Sequence, residues 1–515
     1  MVNISETLRI KLEEQQNRII NASERKIVVN AGPGSGKTYT LVKMIERKLQ
    51  SIPEHKSIIA CSFTREASNQ LKEKIEMKCD SRQSFIGTID SFILKEIIFP
   101  YKNRFLNKLG GKNDIEKLSF VFPNQNSEAN KLTKEGITST NADERNRYCN
   151  QWINKLAKGI YEISFPSYVY AAKMIVDMSI VRDYIESRYE CIYIDEAQDM
   201  NEYQHKFLEV IANNCAIDVV LIGDKNQSIY QFRGARPELF YELKNKGFTE
   251  YEITYSVRCH KTILDFCNLL ISSECDFEMS DDVRVELNHS ASASNIKKVM
   301  GNFMVLCEKN ALADDIYGYL SKENIPVILS KKILIGNKLF SDNYYELVEE
   351  TARFYLNVSN SNPKLLYSID YYRNFISNYV IVDEVSDRDI MPYDEDLLHY
   401  ITRMFDFFSI SIPQDVILDL EVSFSNPLVI NQYTNHDNVN RIMTIHASKG
   451  LEAENVFVVL DCSEELDDET KRKLFVAFSR AKNFLFISKT MIAKRGEQSY
   501  DAVLEENLQR ISIKH

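Results

Sequence analysis

Apolar residues fall in short unbroken blocks separated by amphipathic stretches. The blocks are KIVVNAG (26–32), SIIACSFT (57–64), CIYIDE (191–196), DVVLIGD (218–224), FMVLCE (303–308), ENVFVVLD (454–461) and NFLFIS (483–488). Continuous rather than alternating apolar character predicts strands buried on both faces, as in parallel sheets. Helical spacing lies between many of them, at 66–78, 202–213, 261–271 and 310–323. Strand–helix alternation of this kind predicts an α/β fold. The alternation breaks over about 95–188 and about 335–438. Both stretches read as mostly helical insertions, the first with a polar loop around 124–150, the second acidic and rich in Tyr and Phe.

A chain of 515 residues is too long for one core and predicts roughly three or four domains. Its 44% hydrophobic and 27% charged residues exclude a disordered, collagen-like or disulfide-scaffold chain. No run approaches the ~18 apolar residues of a membrane helix, and the N-terminus lacks a signal-peptide pattern. Ten cysteines without a CxxC pair fit reduced thiols in a cytoplasmic protein. Cys259, Cys267 and Cys275 recur every eight residues beside His260, but this spacing matches no common metal pattern and reads as buried thiols.

The net charge of −11 is unevenly spread. Residues 1–190 hold 30 Lys+Arg and 23 Asp+Glu, a net of +7, whereas residues 341–440 hold 5 and 17, a net of −12. One acidic segment accounts for the excess, so the first half keeps the positive surface that phosphate binding needs.

Glycine is scarce, at 16 residues, yet Gly32, Gly34, Gly36, Gly87, Gly223, Gly234 and Gly450 fall in four of the chain's short chemical segments. The first is AGPGSGKT (31–38), between the strand IVVN and a helical pattern. Ala31, Gly32, Pro33, Gly34, Ser35 and Gly36 form a loop whose backbone N–H groups converge on phosphates at a helix N-terminus. Lys37 places positive charge on the β- and γ-phosphates, and Thr38 offers a hydroxyl to Mg²⁺. The second is YIDEAQD (193–199). Adjacent carboxylates at a strand tip are costly unless a cation sits there. Asp195 suits the Mg²⁺ shell and Glu196 suits a base that activates water for attack on the γ-phosphate.

With these two motifs the chain resembles the superfamily 1 DNA helicases of the UvrD/Rep/PcrA type. The resemblance extends in order through CSFTREASNQLKEKI (61–75), GTIDSF (87–92), VVLIGDKNQSIYQFRGARPE (219–238), TYSVRCH (254–260), RIMTIHASKGLEAENVFVV (441–459) and KRKLFVAFSRAK (471–482). It implies two RecA-like P-loop motor domains with parallel sheets, each carrying a mostly helical insertion. The expected segments are 1–94 and 189–252 for the first motor domain, 95–188 for its insertion, 253–335 and 439–515 for the second, and 336–438 for a reduced acidic insertion. It implies that Gln16 reads the adenine edge, that Gln227 couples the γ-phosphate to DNA movement, that Arg258 and Arg480 reach that phosphate from the second domain, and that Glu452 lies near the ribose. His446, Thr444 and Lys449 fall in the segment linking cleft and DNA track.

The strand-binding side also has a physical reading. Phe63, Tyr230 and Phe232 stand beside Thr64, Arg65 and Arg233. Stacking on base faces is worth ~1–3 kcal/mol per base and ignores sequence, while hydroxyls and arginines hold phosphates. Thr88 and Ser91 are further candidates for phosphate contact. The bland alternative makes Tyr230 and Phe232 core aromatics. The resemblance implies an ATP- and Mg²⁺-dependent helicase moving 3′→5′ on single-stranded or partly duplex DNA.

Three departures matter. Phe232 stands where the family usually has Trp. Val257 stands where an aromatic usually stacks on adenine, and Tyr39 follows GKT in place of Arg, so Tyr39 is expected to supply that stacking. The second insertion is short and acidic and should repel duplex. Size, the stretch 85–100 and the short insertion resemble the helicase-like subunits of Gabija anti-phage defence systems. That would imply a complex with an OLD-type nuclease. A DNA-sensing ATPase switch that regulates such a nuclease without processive unwinding remains the alternative.

Overall fold

The computed structural model describes residues 6–104 (apart from 64, 99 and 102), 119–121, 160–162, 166–330 (apart from 232, 233, 273–278 and 289), 342–359, 369, 372, 386–407, 414–430 (apart from 427 and 428), 440–460, 466–489 and 500–512. Its strands are, in order, β1 Lys26–Ala31, β2 Ser57–Ser62, β3 Phe85–Thr88, β4 Ser119–Val121, β5 Ile160–Glu162, β6 Tyr189–Ile194, β7 Asp218–Gly223 and β8 Thr249–Ile253. They continue with β9 Val285–Leu287, β10 Phe303–Cys307, β11 Ile328–Ser330, β12 Arg441–Thr444, β13 Ala453–Leu460 and β14 Ala481–Lys489.

Two six-stranded sheets result, ordered β3-β2-β6-β7-β1-β8 and β11-β12-β10-β13-β14-β9. Every strand pair in them is parallel. This is the α/β class that the apolar blocks predict, and each of the seven blocks lies in a strand. The helical patterns also hold, as Arg65–Glu76, Glu202–Asn214, Lys261–Ile271 and Asn310–Lys322. The strands the pattern misses are short or peripheral. β3, β8, β9 and β11 are sheet edges, where one side meets solvent and polar residues are tolerated. β8, TEYEI, is mostly exposed.

Between β3 and β6 come a π-helical turn, Ile93–Ile98, and the helices Pro166–Asp177 and Ser179–Arg188. The small parallel pair β4–β5 adds strand to a stretch expected to be mostly helical. Its expected polar loop, 124–150, lies outside the described residues. Between β11 and β12 the helices Asp342–Ser359, Leu397–Phe407 and Gln414–Phe424 bury their own core around Phe354, Tyr372, Tyr400 and Met404.

The helix Glu202–Asn214 opens with a reciprocal cap: Gln204 N donates to Asn201 Oδ1 and Asn201 N to Gln204 Oε1, each at 2.9 Å. One turn on, His205 is buried with no hydrogen-bond partner on either ring nitrogen among the described residues. Burial, with Lys246 nearby, pulls its pKa down to about 3. The native state therefore refuses a proton that the unfolded chain accepts below about 6.5, so stability falls as pH drops through that value. His205→Leu is expected to remove this loss, worth about 2 kcal/mol at pH 5. Urea midpoints of both proteins at pH 7 and pH 5 check it; parallel declines in both would refute the assignment.

Candidate nucleotide cleft and strand-binding face

β1 delivers the phosphate loop. Gly34 and Gly36 take φ of +71° and +77°, a region where a Cβ is strained. Gly36 caps the helix Lys37–Ser51 without any side-chain cap, leaving the N-terminal amides to a ligand. Lys37 Nζ donates to Ala31 O at 3.1 Å and Gly32 O at 3.3 Å, and stands 3.9 Å from Asp224 Oδ2. Thr38 Oγ1 donates to Asp195 Oδ2 at 3.3 Å. Pro33 and Ser35 are buried, and Ser35 Oγ donates to Gly32 O at 2.7 Å. Gln16 is buried and donates through Nε2 to Ser35 O at 2.8 Å.

The linker to the second sheet packs on this loop. Val257 N donates to Gly34 O at 3.1 Å. A Cβ on Gly34 would stand 2.2 Å from Arg258 Cβ, so this glycine is required by contact as well as by φ. Val257 itself packs against the core of the first sheet. Tyr39 is exposed.

The tips of β6 and β7 bring four acids together. Glu196 adopts left-handed backbone, φ 56°, which costs a non-glycine residue roughly 1 kcal/mol. Asp195 is raised by burial and by the Glu196 charge. Burial also opposes ionisation of Glu196, but Lys449 and Lys37 outweigh it and lower its pKa. Gln198 Nε2 donates to Glu196 Oε2 at 2.6 Å, and its Oε1 accepts from Asp224 N at 2.9 Å, which ties the two tips together. Asp224 is raised by burial against the pull of Lys37.

Lys449 crosses from the second sheet into this cluster. It hydrogen-bonds Asp199 Oδ2, donates to Gln227 O at 3.1 Å, and lies 3.8 Å from Glu196 Oε2. Burial pushes Asp199 up to about 7 even though Lys449 opposes it, whereas Lys449 is held above its ordinary value by Asp199 and Glu196 despite burial. Direct contact favours the ionised pair. Asp199 Oδ1 is buried without a partner among the described residues.

Arg480 comes from the same side. It is fully buried, donating to Val476 O, Leu451 O and, at 3.4 Å, Gln227 Oε1. Burial, and then Arg258, pull it to about 10, still cationic at neutral pH. Gln227 Nε2 is buried and unpartnered among the described residues. Arg258 Nε lies 2.6 Å from Glu452 Oε2. Gln198, Asp199 and Asp224, none of them singled out for a role from sequence, complete the cluster with Lys449, which was expected in the segment linking cleft and DNA track. The signal for the first two was present, since both lie inside YIDEAQD.

On the adjoining face, the rings of Phe63 and Tyr230 stack with centroids 5.4 Å apart and 23° between planes. His446 lies 6.4 Å from Tyr230, and Lys449 Nζ stands 5.1 Å over the Tyr230 ring. Thr88 and Ser91 share a hydrogen bond of 2.9 Å, and Thr444 Oγ1 accepts from Ala447 N at 3.4 Å. Tyr230 also packs against the core of the second sheet. Thr64, Phe232, Arg233 and the side chain of Arg65 lie outside the described residues, as does Cys275. Cys259 and Cys267 are buried free thiols.

Residues 15–233 match the AAA domain family, and residues 441–488 match the UvrD-like helicase C-terminal domain. In these two segments the chain resembles the UvrD-like helicases. The chain is 25% identical to Gabija protein GajB of Bacillus cereus (strain VD045), over 95% of its own length and 97% of that protein. It is 22% identical to a probable DNA helicase II homolog of Rickettsia conorii, over 93% and 92% of the two chains. Against ATP-dependent DNA helicase PcrA of Bacillus subtilis the identity is 23%, over 45% of this chain and 35% of that one. These likenesses support an ATP-dependent helicase or hydrolase. Among the described residues, no helix is long and apolar enough to cross a membrane.

Proposed function

We propose that the chain is an ATP-driven motor that moves 3′→5′ on single-stranded DNA. One observation carries this reading. Lys37, Asp195, Glu196 and Gln227 of the first sheet meet Arg258, Lys449 and Arg480 of the second at one cleft, and Lys449 also touches the stacked aromatic pair. Phosphate would enter between Lys37 and the amides that follow Gly36. Gln227 would donate its unpartnered amide to the γ-phosphate. Glu196, ionised, would take the proton of the attacking water. Arg258 and Arg480 would offset charge in the transition state once the cleft closes. Gln16 and Glu452 would hold adenine and ribose.

Mg²⁺ fits the hydroxyl and carboxylate of Thr38 and Asp195, since a cation would neutralise the adjacent buried carboxylates. When bound, it supplies Lewis-acid stabilisation of phosphate charge. Phe63, Tyr230 and Phe232 would stack on bases, with Thr64, Arg65, Thr88, Ser91, Arg233, Thr444 and His446 on the backbone. In domain terms, 1–94 and 189–252 would form the first motor domain with insertion 95–188. Segments 253–335 and 439–515 would form the second, with insertion 336–438. A cytoplasmic location accords with this work.

The acidic second insertion supports a further reading: a DNA-sensing ATPase switch that controls an OLD-type nuclease in a Gabija-like antiviral complex. Phosphate release and strand displacement, with and without single-stranded DNA, separate the two. DNA-stimulated hydrolysis with displacement is expected of the motor, and stimulation without displacement of the switch. Hydrolysis indifferent to DNA would count against both. Tyr39→Ala is expected to raise the Michaelis constant for ATP about threefold, the scale of one lost stacking contact. An unchanged constant would remove Tyr39 from the adenine site.

A further inference from the structure

Lys482 has no role in the reading above. It stands at the start of β14, two residues after Arg480. Its Nζ lies 2.6 Å from Glu452 Oε1, while Arg258 Nε lies 2.6 Å from Glu452 Oε2. One carboxylate therefore holds two cations, one on each oxygen. Main chain keeps the three together. His260 N donates to Lys482 O at 2.8 Å, and Ala453 N to Arg480 O at 3.1 Å. Cys259 Sγ donates to Ser479 O at 3.4 Å. The group borders the phosphate loop, because Arg258 Cβ is the atom that a side chain on Gly34 would strike. Burial opposes the Glu452 charge, yet Lys482 and then Arg258 hold its pKa below the ordinary value.

Arg258 cannot give the same guanidinium face to Glu452 and to a phosphate. Departure would strip a half-buried carboxylate of its partner, which is unfavourable. A second cation already in place removes most of that penalty. We infer that Lys482 is a positioning residue that keeps Glu452 neutralised, so that Arg258 is free to exchange the carboxylate for a nucleotide phosphate. This rests on the ATP-hydrolase reading of the cleft. Lys482 need not touch the reacting atoms. Without it, Glu452 retains Arg258 as its sole strong partner and holds it away from phosphate.

Steady-state phosphate release by the full chain tests this. Lys482→Met is expected to lower kcat about tenfold while KM for ATP stays within about twofold. Lys482→Arg should recover kcat to within about threefold of wild type. The double variant Lys482→Met/Glu452→Gln should have a higher kcat than Lys482→Met alone, because the competing carboxylate is gone. Unchanged kcat in Lys482→Met overturns the inference. A raised KM with intact kcat does so too, and would put Lys482 on the nucleotide instead. So does a kcat loss that tracks a lowered melting temperature and is not relieved in the double variant. Absence of turnover in the wild type would instead remove the hydrolase reading, and the inference with it.

Discussion

Replacing Lys37 by alanine is expected to lower ATP turnover by roughly three orders of magnitude, about 4 kcal/mol of transition-state stabilisation. The ammonium is held over the loop by two carbonyls, Ala31 O and Gly32 O, with Asp224 3.9 Å away. It is therefore already aimed where a phosphate would lie against the amides that begin the helix Lys37–Ser51. No other cation approaches the loop from its own sheet within the contacts described. The fold should survive, because Nζ bonds only to backbone and to one strand-tip acid. Single-turnover phosphate release, with circular dichroism melting as control, reads both. Turnover within tenfold of wild type, with melting unchanged, would place the phosphate cradle elsewhere.

Lys449→Met carries the second large effect, of a different kind. It leaves two buried acids, Asp199 and Glu196, without the cation that each sees most strongly. Breaking a buried ion pair by removing one partner costs about 3–5 kcal/mol. Because Lys449 belongs to the second sheet and the acids to the first, the cost falls on the docking of the two. Asp199, raised by burial even against the pull of Lys449, would rise further without it and be the first to take a proton. The expected result is an ATP turnover reduced about a hundredfold and no stimulation by single-stranded DNA. Adding Asp199→Asn should restore melting behaviour without restoring DNA stimulation, since the cation over Tyr230 stays absent. Full DNA stimulation in Lys449→Met would break the proposed link between the aromatic pair and the acids.

The parts of this architecture legible in sequence were those where burial is two-sided. β2, β7, β10 and β13 are buried along nearly their whole length, and each carries an unbroken apolar run that shows in the sequence. β8 and β3 escape because an edge strand tolerates TEYEI or FIGT, and β12, though interior, is only four residues long. At the site, Lys37, Thr38, Asp195 and Glu196 could be read because phosphate and cation chemistry fixes residue type and spacing within one loop. Arg258, Glu452 and Arg480 came from resemblance alone, since their partners lie more than 190 positions away in the chain. Gln198 and Lys482 were passed over although their partners are nearer, at Glu196, Asp224 and Glu452. An amide that ties two strand tips, or a lysine that shares a carboxylate, has no local pattern.

The contact between Gly34 and the segment 254–260 has a mechanical consequence. That segment is the only covalent continuation from β8 toward the second sheet, and it is also one wall of the phosphate loop, through Val257 N on Gly34 O. Gln15 grips it from the other side, with Thr254 N donating to Gln15 Oε1 and Gln15 Nε2 donating to Thr254 Oγ1, both at 3.0 Å. Were the two halves to turn about this segment, their axle would lie in the rim of the pocket. A ligand that displaced the rim would then push directly at the pivot. No intervening lever would be required, and the stiffness of seven residues would set the gearing.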